Sequence, residues 1–161
     1  MKLSYKDKQP TISNAFFVAK NASIIGDVRL RNDTMVFFNA VLRGEDKPVV
    51  VEERSAVLDN AFVEGSRIGG GSLISHGATV HFAEIGEKVL IGIGAIVLDE
   101  CIINQGAVIG AGAVVLSGTE VGENSLYTGV PAEKVKNIQG EKRVNTALAS
   151  LREKCKHYHE S

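Results

Sequence analysis

Branched aliphatic residues recur about every six positions through most of this chain. The series runs Val18, Ile24, Leu30, Val36 and Leu42, then resumes at Val51, Val57 and Val63. It continues through Ile68, Ile74, Val80 and Ile85, and becomes strictly six-spaced from Ile91 through Val97, Ile103, Ile109 and Val115 to Val121. Four residues after most of them sits a small or β-branched residue, such as Ala22, Thr34, Ala40, Ala61, Ser72, Ala78, Ala95 or Ala113. Neither helical nor simple alternating periodicity produces this pattern. A short strand plus a turn does: the aliphatic points inward, the small residue fits a tight corner, and Gly and Asn supply the turn conformations. Three such units close one triangular coil, and stacked coils pair in parallel at about 4.8 Å. The prediction is a mainly β fold, a parallel β-helix of roughly six to seven coils between Val18 and Pro131. The pattern alone does not set its handedness.

The register breaks in three places. Residues 43–50 insert what reads as a short loop, and the turns starting at Val63 and Val80 are one residue short. Regular coils rarely need such breaks, and two histidines lie beside them, so they mark a candidate site. After Pro131 the pattern changes. Val144, Ala147, Leu148, Leu151, Cys155 and Tyr158 fall at helical spacing between Glu141 and Glu160, opposite a charged face. The expected organisation is a lead-in over residues 1–17, the β-helix over 18–131, and a C-terminal extension with a flanking helix over 132–161.

Composition narrows the function. With 18 basic and 19 acidic side chains the net charge is near zero, which argues against a nucleic-acid or anionic-membrane partner. Apolar residues make up 44% and aromatics only 6%, so the core is aliphatic. The N-terminal ten residues are polar and lack a signal-peptide stretch, and no segment reaches membrane-spanning length. Cys101 and Cys155 have no metal or redox spacing. A cytoplasmic protein acting on a small molecule is the expectation.

The chain has four histidines. His157 and His159 lie near the C-terminus and read as solvated. His81 directly follows the inward Val80, and Glu64 directly follows the inward Val63, so both occupy equivalent positions one 17-residue coil apart. Their side chains are expected one above the other on one outer face. His76 belongs to the preceding face and cannot easily meet them within one chain. Around a threefold axis, His76 of one subunit can face Glu64 and His81 of the next. Two imidazoles and a carboxylate then suit a divalent metal with an open position for water. The alternative is that all three are polar interface residues without a metal.

At these residues the chain resembles the γ-class carbonic anhydrase-like proteins of the hexapeptide-repeat superfamily. The resemblance spans roughly residues 11 to 140. It rests on Ile25-Gly26-Asp27-Val28, the run from Asn39 through Arg43-Gly44-Glu45, Val57-Leu58-Asp59-Asn60, the run from Ser75-His76 to Val80-His81, the run from Gly92 to Asp99, and Gly129-Val130-Pro131-Ala132. It implies a left-handed β-helix, a homotrimer, and zinc (or iron or cobalt) at each subunit interface. His76 and His81 match two metal-ligand positions, with His76 given across the interface. Glu64 stands where the family has a third histidine. Leu58 replaces a usual glutamine near the metal-bound water, and Glu45 replaces the aspartate of Arg-Gly-Asp. Arg43 and Asp59 match a pair that ties subunits together. Tyr127 matches a position near the site, where it orients substrate or simply closes the last coil.

Three functions follow. One is a metal-dependent hydro-lyase that interconverts carbon dioxide and bicarbonate. It would use Glu64, His76 and His81 as ligands, with Arg43, Glu45, Asp59 and Tyr127 around them. The second is an acetyl-CoA-dependent acyltransferase with a histidine as general base. The third is a metal-binding trimer without turnover.

Overall fold

The computed structural model describes residues 1–158. It is a parallel β-solenoid of about seven turns, followed by one helix, α1 (Gly140–Cys155). Short strands stack on three faces. On the first face the inward residues are Ile24, Leu42, Val63, Val80, Val97 and Val115, each at most 1% exposed. Neighbouring strands pair in parallel with Val63 opposite Val80 and Val80 opposite Val97, the 17-residue steps read from the sequence. The third face stacks Val57, Ile74, Ile91 and Ile109, all fully buried. Each such side chain contributes about 1.5–3 kcal/mol of apolar burial, so the core is a continuous aliphatic column.

The corners explain the small residues. Ala40, Ala61, Ala78, Ala95 and Ala113 are buried where the chain turns onto the first face. Just before each of them the backbone takes a left-handed conformation, at Asn39, Asn60, Gly77, Gly94 and Gly112, which Asn and Gly tolerate best. Another corner uses hydroxyls. Ser55 Oγ donates to Gly69 O and accepts from the Ser72 N–H, and Ser72 Oγ donates to Gly86 O and accepts from the Val89 N–H. This ladder satisfies buried groups that an alanine would leave without partners.

The insertion differs from expectation. Residues 43–50 do not leave the sheet as a loop but form part of one long strand, Val41–Val51. Gly26 pairs with Gly44 and Val28 with Val49, so the extra residues bulge opposite Asp27. Val49 and Val51 return to the core fully buried, and burying that pair keeps the inserted backbone hydrogen-bonded to its neighbour. Lys8 donates to the backbone oxygen of Glu45 in this bulge. The helix is also shorter than its periodicity, ending at Cys155 rather than Glu160. Val144, Leu148 and Cys155 are buried against Met35, Phe37, Leu58 and Leu73. Tyr158 lies beyond the helix, yet its ring contacts Phe17 and Phe38 at centroid distances of 5.4 and 5.2 Å. Its place in the apolar series therefore reflects packing and not helix. His157 is exposed, and His159 lies outside the described residues. No described helix is long and apolar enough to cross a membrane.

Candidate metal site

Arg43, Glu64 and His81 form one column on the first face. Arg43 is the register partner of Glu64, and Glu64 is that of His81. Parallel strands stacked in register dictate this alignment, with a 17-residue step from Glu64 to His81 and a longer one from Arg43 that takes in the inserted residues. The Glu64 Oε2 and His81 Nε2 atoms lie 3.6 Å apart, and the Glu64 side chain is only 14% exposed. The other ring nitrogen of His81, Nδ1, is 2.5 Å from Asp99 Oδ1. An Nδ1–H donated to this carboxylate leaves the Nε2 lone pair on the Glu64 side. That is how outer carboxylates orient metal-binding imidazoles.

His76 occupies the corner before the first face, beside the left-handed Gly77. The Gly77 N–H donates to Asp59 O, which sets Asp59 one coil before His76, and His76 Nδ1 lies 2.7 Å from Asp59 Oδ2. Both internal histidines thus carry a carboxylate on Nδ1. Arg43 bonds through Nη2 to Glu45 Oε2 at 2.5 Å. The hydrogen bond it donates to Glu45, and next the charge of Glu64, hold its guanidinium above its ordinary pKa. Within one chain Arg43 thus meets Glu45 and Asp59 meets His76; the Arg43–Asp59 pair that the resemblance implies is one between subunits. Among the described residues, no three His, Cys, Asp or Glu side chains of a single chain are placed to hold a metal. Glu64 and His81 converge as a pair, and His76 stands apart with Asp59.

Of three further residues, Tyr127 and Leu58 belong to the third face, and Phe82 stands beside His81. Tyr127 is the register partner of Ile109, three coils beyond Ile74 on the third face, and packs on the end of the core. Within one chain it closes the last coil. Leu58 is 4% exposed in the apolar cluster under α1, an environment that suits leucine and leaves no hydrogen-bond donor there. Phe82, not anticipated from the sequence, follows His81 with φ 46° and packs edge-on against its ring at 4.6 Å. A bulky residue in the left-handed region is strained, and the contact with His81 is one interaction that holds it there. A groove of about 660 Å³ lies elsewhere, between α1 and the coils. Its cations are largely paired, Arg67 with Glu52, Lys88 with Glu141 and Arg152 with Asp33, and it contains neither histidine of the repeat.

Comparison with known proteins gives the family. Residues 82–117 match the bacterial transferase hexapeptide family, a model of six repeats. A carbonic anhydrase from Geobacillus kaustophilus is 36% identical over 139 residues, covering 83% of this chain and 76% of that protein. The chain belongs to the γ-class carbonic anhydrase-like family of hexapeptide-repeat proteins. The mitochondrial γ carbonic anhydrase 2 of Arabidopsis thaliana is 27% identical, covering 86% of this chain, which spans about half (54%) of that protein's length. A hexapeptide transferase family protein from Anaplasma phagocytophilum has a solved structure that superposes with a TM-score of 0.91 at 26% identity, covering 98% of each chain. Membership in the γ-class family implies a divalent metal. The donor chemistry of Glu64 and His81, with Asp99 behind the imidazole, fits two of the ligands such an ion needs.

Proposed function

We propose that this protein is a homotrimeric, metal-dependent hydro-lyase of the γ-carbonic anhydrase type, acting on carbon dioxide or bicarbonate. The observation that carries the reading is the column of Glu64 and His81, with the His81 Nδ1 engaged by Asp99. A neighbouring subunit's copy of His76 completes the set, because His76 lies at the adjoining corner. Exposed apolar side chains support a subunit contact there. Ile93, one coil beyond His76, is 59% exposed, and Leu116 and Val130 are 49% and 72% exposed.

A divalent cation at this position, zinc in the first instance, would act as a Lewis acid toward water and a carbonyl-type oxygen. The chain's own residues bind and orient. Asp99 and Asp59 set the tautomers of His81 and His76, and Phe82 packs against the His81 ring. Arg43, hydrogen-bonded to Glu45, places a positive charge beside the site, where it offsets the Glu64 carboxylate. Leu58 supplies no hydrogen bond to a substrate, so turnover is expected to be slow. Stopped-flow hydration on zinc- and iron-loaded protein tests this; a rate no greater than the protein-free control, with metal bound, contradicts it.

A second reading is an acetyl-CoA-dependent acyltransferase, favoured by the match of residues 82–117 to the transferase hexapeptide model. Calorimetry with acetyl-CoA separates the two. Saturable binding supports the transferase, and no heat at millimolar ligand argues against it.

A further inference from the structure

We propose that Glu64 is a specificity-determining residue, one that narrows the advantage of zinc over harder divalent ions such as manganese and ferrous iron. This rests on the metal-site reading above. Two donors each about 2.1 Å from one first-row cation stand roughly 3 to 3.5 Å apart. The Glu64 Oε2 to His81 Nε2 separation of 3.6 Å is close to that spacing. The carboxylate is held rather than solvated, since its side chain is 14% exposed against 34% for His81. Arg43, the register neighbour of Glu64, is hydrogen-bonded to Glu45, and the Glu64 carboxylate faces the imidazole.

The charge of the column adds to this. Asp99 sits on the far nitrogen of His81, so a cation there meets one carboxylate directly and feels a second through the ring. Imidazole donors suit zinc and other later transition metals. Carboxylate donors suit manganese and magnesium, and two imidazoles with one carboxylate and open positions suit ferrous iron. A glutamate where the resemblance expects a histidine therefore shifts the balance in a definite direction. Glu64, not the two histidines, carries that shift.

The test compares zinc and manganese(II) affinities of the trimer, by competition against a chelator, for the native protein, Glu64→His and Glu64→Gln. The ratio of zinc to manganese affinity is expected to rise about tenfold or more in Glu64→His, as a carboxylate gives way to imidazole. Glu64→Gln keeps the shape and removes the charge; it is expected to lose manganese more than zinc. Cobalt(II) gives an independent readout. Its visible bands are expected to shift in Glu64→His, as a carboxylate donor gives way to imidazole. Metal bound by all three proteins with an unchanged ratio and unchanged cobalt spectra overturns the role of Glu64 and leaves the metal site standing. No metal bound by the native trimer overturns both.

Discussion

His81 gains its chemical meaning from what holds its other nitrogen. With Nδ1 engaged by Asp99 at 2.5 Å, the ring presents Nε2 toward Glu64. Removing such an outer partner typically lowers metal affinity by about 10- to 100-fold. Asp99→Asn is expected to weaken metal binding by that factor while leaving the oligomer intact, as read by chelator competition alongside the solution mass. Undiminished affinity would show that Asp99 does not orient the ring. Cys155 offers a pH test. Burial pushes its thiol from an ordinary value of 9.0 up to about 11, so the fold favours the protonated form. Its contribution to stability is intact below about pH 9 and is lost as pH rises toward about 11. Melting temperature is expected to fall across that interval, and less steeply in Cys155→Ala; equal slopes would place the alkaline sensitivity elsewhere. The stacking of Glu64 under His81 was legible because residue spacing sets strand register. Asp99 was not: it lies 18 residues after His81 in a stretch of 17-residue steps, one place past the stacked position and round the corner. The contact of Arg43 with Glu45 within one chain was not legible either, since spacing does not fix which side chains along a strand meet.

The inward columns were readable at the scale of the element, because every coil repeats the same burial requirement. The insertion does not show as strand in the sequence, because an interruption of the aliphatic series looks like a loop. Val49 and Val51 nonetheless bury themselves again, so the strand continues through a bulge. The helix was readable from its apolar stripe, although Tyr158 extended the stripe beyond the helix by packing against Phe17 and Phe38. That helix is held by Val144, Leu148 and Cys155 on the cluster that includes Leu58. Leu148→Ala removes a buried anchor, and a loss of about 2–3 kcal/mol is expected in urea unfolding. A change under about 0.5 kcal/mol, the size of an ordinary surface substitution, would mean that the helix does not stabilise the coils.

The whole molecule contains an incomplete site. One chain brings Glu64 and His81 together and leaves His76 at the neighbouring corner with Asp59. The solenoid form is firm, since it is set by the repeat and shared with a solved relative at a TM-score of 0.91. On the function proposed above, a second copy of the chain completes the site. Two defective chains can therefore be asked to repair each other. The measurement is metal content per chain, by elemental analysis of size-selected trimers, for His76→Ala, His81→Ala and a co-expressed mixture of the two. Each variant alone is expected to form a trimer that holds little metal. Mixed trimers are expected to recover about one site in three, because in a threefold ring one interface joins a His76→Ala chain, which still offers Glu64 and His81, to a neighbour that still offers His76. Mixed trimers as empty as the single variants, or a His76→Ala trimer that keeps its full metal, would contradict a site shared between subunits.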